Sequence, residues 1–375
     1  MEGTIRQRSA GSCEIQVFLG RDVNGKRMRK TETVRGKRAD AQRRLREILS
    51  ELDRGITPTK TRYKLSEWLD KWMEEKIVPK GKQKTIDRYG DDIRLHIKPA
   101  LGHIELTKLS PVQVQEFETN LLKSGKAAKG VQLVHCVLSG AMKHAQRLEL
   151  VARNPVSLVS PPTAPKTEAY SPQVEQVRAL LILAEELEHP LWVCIHLIAY
   201  TGMRRGEALA LEWKHVDLEK RQILVCQSLV VSKGGVLLET PKTESSWRVV
   251  DIDIRTAEIL KTHRSQQRAL AAKLGTQAPE KLFSRADQAS WTHPNNVMNA
   301  VRSLGKKAGC PDITLRSLRH FHATVTLQAG QSPVVVSKRI GHSNPKITME
   351  VYAHVLPGWQ QDAAEAFADA MQPSA

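Results

Sequence analysis

The sequence has few cysteines, and they lie far apart. Cys13, Cys136, Cys194, Cys226 and Cys310 are odd in number, and none takes part in CxxC or Cys/His ligand spacing. A disulfide framework and a zinc finger are therefore excluded, and a reduced, intracellular protein is expected. Long hydrophobic runs are also missing. The longest, Leu191 to Tyr200, includes His196 and is too short to span a bilayer. The N-terminus, Met1-Glu2-Gly3-Thr4-Ile5-Arg6, has no apolar signal region, so nothing suggests export. No internal repeat or low-complexity tract stands out. The histidines include His320-Phe321-His322, but no carboxylate cluster accompanies them, so neither a metal nor another cofactor is expected.

Acidic residues are in deficit. Lys and Arg total 57 against 40 Asp and Glu, a net charge of +17. Such an excess points to phosphate-backbone binding, because each neutralised phosphate releases condensed counterions. The excess is concentrated, with 15 Lys/Arg against 8 Asp/Glu in residues 1–60. That distribution argues for a dedicated nucleic-acid module rather than a merely soluble surface. With 41% apolar residues the chain can bury real cores, and 375 residues fit two or three domains.

Three segments follow from the patterning. In the first, residues 1–58, Cys13, Ile15, Val17 and Leu19 alternate with polar residues as in a half-buried strand. Asn24-Gly25 signals a hairpin, Lys26 to Val34 reads as the returning strand, and a helix runs from Ala39 with Ala41, Leu45, Ile48, Leu49 and Leu52 on one face. Gly55 ends that helix and Thr57-Pro58-Thr59 is a linker. A small basic sheet on one helix is expected, with Arg27, Arg29, Lys30, Arg35, Lys37 and Arg38 as candidate DNA contacts.

The second segment, residues 62–162, is helical. Leu65, Trp68, Leu69, Trp72 and Met73 form one stripe, and Ile86, Tyr89, Ile93 and Ile97 a second. Ser110-Pro111 opens a helix with Val114, Phe117 and Leu121, and Val131, Val134, Leu138, Ala141 and Ala145 mark a fourth. Aromatics at this spacing serve packing rather than base stacking. The third segment, residues 170–375, follows the joint Pro161-Pro162-Thr163-Ala164-Pro165. Its helices begin at Ser171-Pro172 and are interrupted by β-type sequence at Gln222 to Val231 and Ser246 to Ile252. The whole reads as a multidomain α+β protein whose last domain is mostly helical with a small sheet.

Four patterns in the third segment carry chemistry. Thr201-Gly202-Met203-Arg204-Arg205-Gly206-Glu207 places arginines after a helix-ending glycine, with Glu207 three residues from Arg204. Lys242 lies between Pro241 and Thr243 in a turn-rich stretch between strands, and Leu318-Arg319-His320 lies near the start of an amphipathic helix. Gly341-His342-Ser343 is followed, ten residues after the histidine, by Tyr352. Singly, each has an ordinary structural explanation, and local sequence alone does not choose between Arg204 and Arg205.

As a set, these residues resemble the tyrosine recombinase family in its phage and conjugative-element integrase branch. The family's TGxRxxE motif is matched by Thr201, Gly202, Arg204 and Glu207, and its hairpin lysine by Lys242. Its HxLRH motif is matched by Leu318, Arg319 and His320, and its GH motif and tyrosine by Gly341, His342 and Tyr352. The match extends to Val151-Ala152-Arg153-Asn154-Pro155, similar to the close of a core-binding domain, and to the basic N-terminus, similar to an arm-binding domain. One position departs: the first histidine of HxLRH is Arg316, which can hold a phosphate oxygen but cannot titrate near neutral pH.

The resemblance implies a site-specific recombinase with an arm-binding domain at 1–58, a SAM-like core-binding domain at 62–162 and a catalytic domain at 170–375. Tyr352 is the implied nucleophile, giving a 3′-phosphotyrosine and a free 5′-hydroxyl. Arg204 and Arg319 clamp the phosphate, with Arg316 standing in for the usual histidine. Lys242 protonates the leaving oxygen, His342 hydrogen-bonds the phosphate, and Glu207 and His320 support from behind. Implied partners are core and arm-type duplex DNA, three further copies in a homotetramer, and DNA-bending or excisionase-type accessory factors, in the cytoplasm and without a membrane. The apolar stripe Trp359, Ala363, Phe367 and Met371 packs on its own domain or docks on a neighbouring protomer. The rivals are a non-catalytic DNA-binding protein that kept the fold and a monomeric topoisomerase or nuclease.

Overall fold

The computed structural model describes residues 3–9, 11–21, 27–53, 63–165, 170–240, 247–285, 287, 290–352, 364–365, 367–368 and 371. The chain divides into two compact units, Met1–Pro165 and Lys166–Ala375. Among the described residues no helix is long and apolar enough to cross a membrane.

The first unit holds two separate cores. One lies between an antiparallel sheet of β1 (Gly3–Ser9), β2 (Ser12–Arg21) and β3 (Arg27–Arg35) and helix α1 (Arg38–Asp53). Cys13, Ile15 and Val17 project from β2 onto Ala41 and Ile48 of α1, and all five are buried. Strand β1 is an addition to the expected hairpin; it pairs with β2 from Gly3↔Val17 to Ser9↔Ser12. Its sequence, GTIRQRS, offers one apolar residue, so no alternation marks it as a strand. Asn24-Gly25, Gly55 and the linker after it lie outside the described residues.

The second core belongs to a helical bundle: α2 (Leu65–Trp72), α3 (Gln83–Asp92), the short α4 (Lys98–Leu101), α5 (Pro111–Lys123) and α6 (Ala128–Arg147). Leu65, Trp68, Leu69 and Trp72 are buried along α2, and the Trp68 indole donates to the Ala141 carbonyl of α6 at 3.0 Å. Ser110 caps α5: its Oγ accepts from the Gln113 backbone while Gln113 Oε1 accepts from the Ser110 N–H. The tryptophans therefore act in packing, as their spacing requires.

Among its described residues the second unit contains α7 (Val174–Glu186), α8 (Trp192–Thr201), α9 (Arg205–Leu209), five short strands, and α10 (Ile254–Leu274), α11 (Pro294–Lys307), α12 (Leu315–Gln328), α13 (Pro333–Ile340) and α14 (Pro345–Tyr352). The ten-residue apolar run becomes α8, apolar nearly all round and buried from Val193 to Ala199, as a helix through the middle of a core must be. Strands β4 (Val216–Asp217), β5 (Gln222–Val225) and β8 (Arg248–Asp251) form one antiparallel sheet, while β6 (Ser228–Ser232) and β7 (Gly235–Glu239) form a separate hairpin. The β-type stretch from Gln222 thus divides at Cys226-Gln227, because its two halves pair with different partners. Of the apolar tail stripe, Trp359 and Ala363 lie outside the described residues, and Phe367 and Met371 are exposed.

Gly202 ends α8 in the left-handed conformation, φ 65°, and turns the chain toward Arg204. A Cβ there would meet His322 Cδ2 at 2.8 Å and Ile340 Cγ2 at 2.9 Å, both on neighbouring helices. Gly202→Ala is expected to destabilise the second unit by roughly 2–4 kcal/mol, combining left-handed strain with overpacking. A urea titration of the full chain checks this; a loss under about 0.5 kcal/mol, the usual range for neutral surface changes, would contradict it.

Candidate active site

The site grows from three turns that end or begin helices. At the first, Arg204 is the residue before α9, in extended conformation, so its side chain leaves the helix axis. Its backbone N–H donates to Glu207 Oε2 at 2.9 Å and its Nη1 donates to Glu207 Oε1 at 2.7 Å. Its Nη2 donates to the Gly341 carbonyl at 2.6 Å. Arg205 runs elsewhere: its Nη1 donates to the Pro294 carbonyl at 3.3 Å and lies against Met298 on α11. The two arginines that local sequence leaves equivalent are separated by these partners.

At the second turn, Thr314 caps α12, its Oγ1 accepting from the Ser317 backbone. The first turns of that helix carry Arg316, Arg319 and His320. Arg319 Nη1 donates to the Gly202 carbonyl at 2.7 Å, two residues before Arg204. Arg316 is exposed, and its Nε donates to His320 Nε2 at 3.3 Å. A cavity of about 500 Å³ opens beside these groups, lined by Met203, Arg204, Arg205, Ile313, Arg316 and Arg319 among others.

The third turn joins α13 to α14. Gly341 adopts φ 72° and frees its carbonyl for Arg204, and His342 follows with Nδ1 2.8 Å from the hydroxyl of the buried Thr348. Tyr352 ends α14, seven residues after the helix opens at Pro345; its phenol lies outside what is described. Lys242 lies outside the described residues altogether. On the N-terminal sheet and the start of α1, Arg29, Arg35, Lys37 and Arg38 are exposed, while the side chains of Arg27 and Lys30 are not described.

Electrostatics unify the three turns. Burial works to raise the Glu207 carboxyl, but the hydrogen bond and charge of Arg248, followed by Arg204, win and hold it below the usual range. His342 is pushed down to about 4, first by burial and then by the charges of Arg319 and Arg204. His320 is lowered by burial and by Arg316 and Arg319. The site is therefore permanently cationic through arginine, with neutral imidazoles between the guanidiniums. When the Thr348 hydroxyl donates to Nδ1, the Nε2–H of His342 is left to donate to an anion.

Two residues absent from the sequence reading shape this site. Arg248, 7% exposed at its side chain, donates from Nη2 to Glu207 Oε2 at 2.7 Å and from Nε to the Arg339 carbonyl at 2.8 Å. Arg339 donates to His322 Nε2, the Asp251 carbonyl and the Tyr200 carbonyl, fastening α13 to β8 and α8. A signal for Arg248 was available: it shares a strand face with Val250 and Ile252, both buried, and a cation on a core face requires an acid. Among the described residues no group of three His, Cys, Asp or Glu is placed to hold a metal ion.

Residues 173–358 match the phage integrase family, and residues 64–122 match the phage integrase N-terminal SAM-like domain. The chain is 26% identical to the tyrosine recombinase XerC-like protein of Caldanaerobacter subterraneus subsp. tengcongensis, over 95% of each chain. It is 26% identical to the ICEBs1 integrase of Bacillus subtilis, over 74% of this chain and 75% of the relative. Its fold matches the Tn1549 transposon integrase solved with a circular intermediate DNA, at TM-score 0.68 and 19% identity, over 83% of this chain and all of that one. It also matches a lambda integrase dimer bound to a COC′ core site, at TM-score 0.58 and 17% identity, over 92% and 93% of the two chains.

His196, His322 and His342 are each lowered to about 4, with burial the largest cause. The unfolded chain binds protons at these residues below about pH 6.5, whereas the folded one does not until near 4. Stability is thus complete above that range and is lost as pH falls through it, with a slope approaching about 1.4 kcal/mol per pH unit for each of the deeply buried His196 and His322 and less for the half-buried His342, which solvent screens. Urea midpoints at pH 7 and pH 5 test this: the pH 5 midpoint is expected to be clearly lower, and an equal or higher one would contradict it.

Proposed function

The chain belongs to the phage integrase family, the tyrosine recombinases of mobile elements, and we propose that its arginine site cleaves and rejoins duplex DNA through Tyr352. It is a site-specific recombinase; the roles below are our assignment. The observation that carries them is the convergence of Arg204, Arg319 and His342 on two turns, with Arg204 gripping the Gly341 carbonyl and Arg319 the Gly202 carbonyl. Two guanidiniums so held present further N–H groups to the non-bridging oxygens of a phosphodiester. There they stabilise the charge that builds on pentacoordinate phosphorus.

The Tyr352 phenol gives its proton to water as its oxygen attacks phosphorus and the P–O5′ bond breaks, leaving a 3′-phosphotyrosine. The 5′-oxygen takes a proton, for which Lys242 is the assigned donor. The phosphate ester conserves the energy of the broken bond, so attack by a 5′-hydroxyl reseals the strand. Arg316, exposed beside Arg319, adds a fixed charge where a histidine is usual. His342, neutral near physiological pH, acts as a hydrogen-bond donor.

The relatives solved on DNA, one of them as a dimer on a core site, support a DNA partner for this chain as well. We assign core-site binding to residues 62–162 together with the catalytic segment 170–375. Arm-site binding falls to residues 1–58, whose exposed Arg29, Arg35, Lys37 and Arg38 supply the charge. A homotetramer on DNA, accessory bending or excisionase-type factors and a cytoplasmic setting complete the proposal.

A nicked suicide duplex carrying the element's own attachment site tests the roles. Wild type is expected to trap a covalent adduct, and Tyr352→Phe to bind equally and trap none. Arg204→Ala should slow cleavage by a factor corresponding to about 3–4 kcal/mol, the usual loss of one transition-state donor. Arg205→Ala, which removes only the contact to α11, should stay within about threefold. An undiminished adduct in Tyr352→Phe, or a larger loss from Arg205→Ala than from Arg204→Ala, would overturn the assignment.

A further inference from the structure

The side chain of Arg248 occupies the centre of a closed ring of contacts. Its Nη2 holds Glu207 Oε2 at 2.7 Å, and the other oxygen of that carboxylate receives Arg204 Nη1 at 2.7 Å. Arg204 Nη2 then reaches the Gly341 carbonyl at 2.6 Å. Two residues back along the chain, the Arg339 carbonyl accepts from Arg248 Nε at 2.8 Å, closing the ring. Arg248 is buried, and its Nη1 has no hydrogen-bond partner among the described residues. That nitrogen also lies where a side chain on residue 341 would begin, 2.7 Å from an ideal Cβ, so Gly341 is required for the guanidinium to fit.

We propose that Arg248 is a positioning residue for strand cleavage, holding Glu207 and the end of α13 so that Arg204 and His342 face one phosphate together. This rests on the function proposed above and adds a residue that the family motifs do not supply. The ring explains the arrangement on both sides. Without Arg248, Glu207 keeps one cation rather than two, and the carbonyl of Arg339 loses the donor that fixes α13 next to the Gly341-His342 turn. Arg204 would then retain its two acceptors, but both would be free to move. Arg248 itself does not touch the reacting atoms; it acts through Arg204, so the effect is on orientation, where displacements of about 1 Å can cost roughly a hundredfold in rate.

The pH profile separates this role from simple support. The charged groups facing Glu207 are Arg204 from the start of α9 and Arg248 from β8. With Arg248 removed, burial is opposed by Arg204 alone, the carboxyl titrates at higher pH, and the acid limb of cleavage moves upward. A residue that only packs would lower the rate without moving that limb.

The experiment measures single-turnover cleavage from pH 5 to 9 and core-site affinity for the full chain. It compares wild type with Arg248→Met, Arg248→Lys, Glu207→Gln and the double variant Arg248→Met/Glu207→Gln. Arg248→Met is expected to bind core DNA within threefold of wild type, to cleave at least a hundredfold more slowly, and to show the displaced acid limb. Arg248→Lys should cleave at least tenfold faster than Arg248→Met and at least tenfold slower than wild type. The double variant should lose at least threefold less than the product of the two single losses, because the two residues share one contact. If Arg248→Met loses DNA binding through misfolding, Arg248→Lys carries the test, with affinity kept and cleavage reduced tenfold. Cleavage within threefold of wild type in Arg248→Met, additive losses in the double variant, or joint loss of affinity and cleavage in both Arg248 variants would overturn the role. A wild-type chain that traps no adduct would instead overturn the proposed function.

Discussion

A buried carboxylate between two guanidiniums is the constraint on which the site depends. Glu207, on the short helix α9, has Arg204 on one oxygen and Arg248 on the other. An isolated charge there would cost several kcal/mol in desolvation, which two cations and the Arg204 backbone N–H together offset. One acid shared by two bases leaves a net positive charge in place. Arg319 adds to it from α12, and burial first, with neighbouring arginine charge second, holds His342 and His320 below the usual imidazole range. The site therefore holds its charge across the physiological pH range, which suits a reaction whose substrate is always an anion.

Much of this was legible in the chain. The apolar stripe of α2, the Ser110-Pro111 cap and the buried run of α8 follow from local periodicity and capping chemistry, which are set within a few residues. What escaped depends on distant partners. Strand β1 has too little apolar sequence to show a period; its pairing with β2 makes it a strand. Arg204 and Arg205 are adjacent and chemically alike, and they diverge because one finds Gly341 and the other Pro294. Arg248 was missed for the same reason: its acid lies 41 residues away, and its fit depends on the absence of a side chain at Gly341.

Arg316 shows how a departure from a motif reads in physical terms. A histidine at this position would sit near Arg319, a charge that adds to burial in lowering the neighbouring His320. Arginine supplies hydrogen-bond donors only, with a charge that no pH in the working range removes. The proposed mechanism places no proton transfer at this position: Lys242 is the assigned acid, and the Tyr352 proton passes to water.

The central claim is that Arg204 and its partners act by neutralising the non-bridging oxygens of the scissile phosphate. The most direct test compares cleavage by wild type and Arg204→Ala on a normal core site and on one whose scissile phosphate is a methylphosphonate, which lacks the negative charge. The account predicts that the defect of Arg204→Ala, about a hundredfold or more on the phosphodiester, shrinks to about tenfold or less on the neutral linkage. An equal defect on both substrates would contradict it.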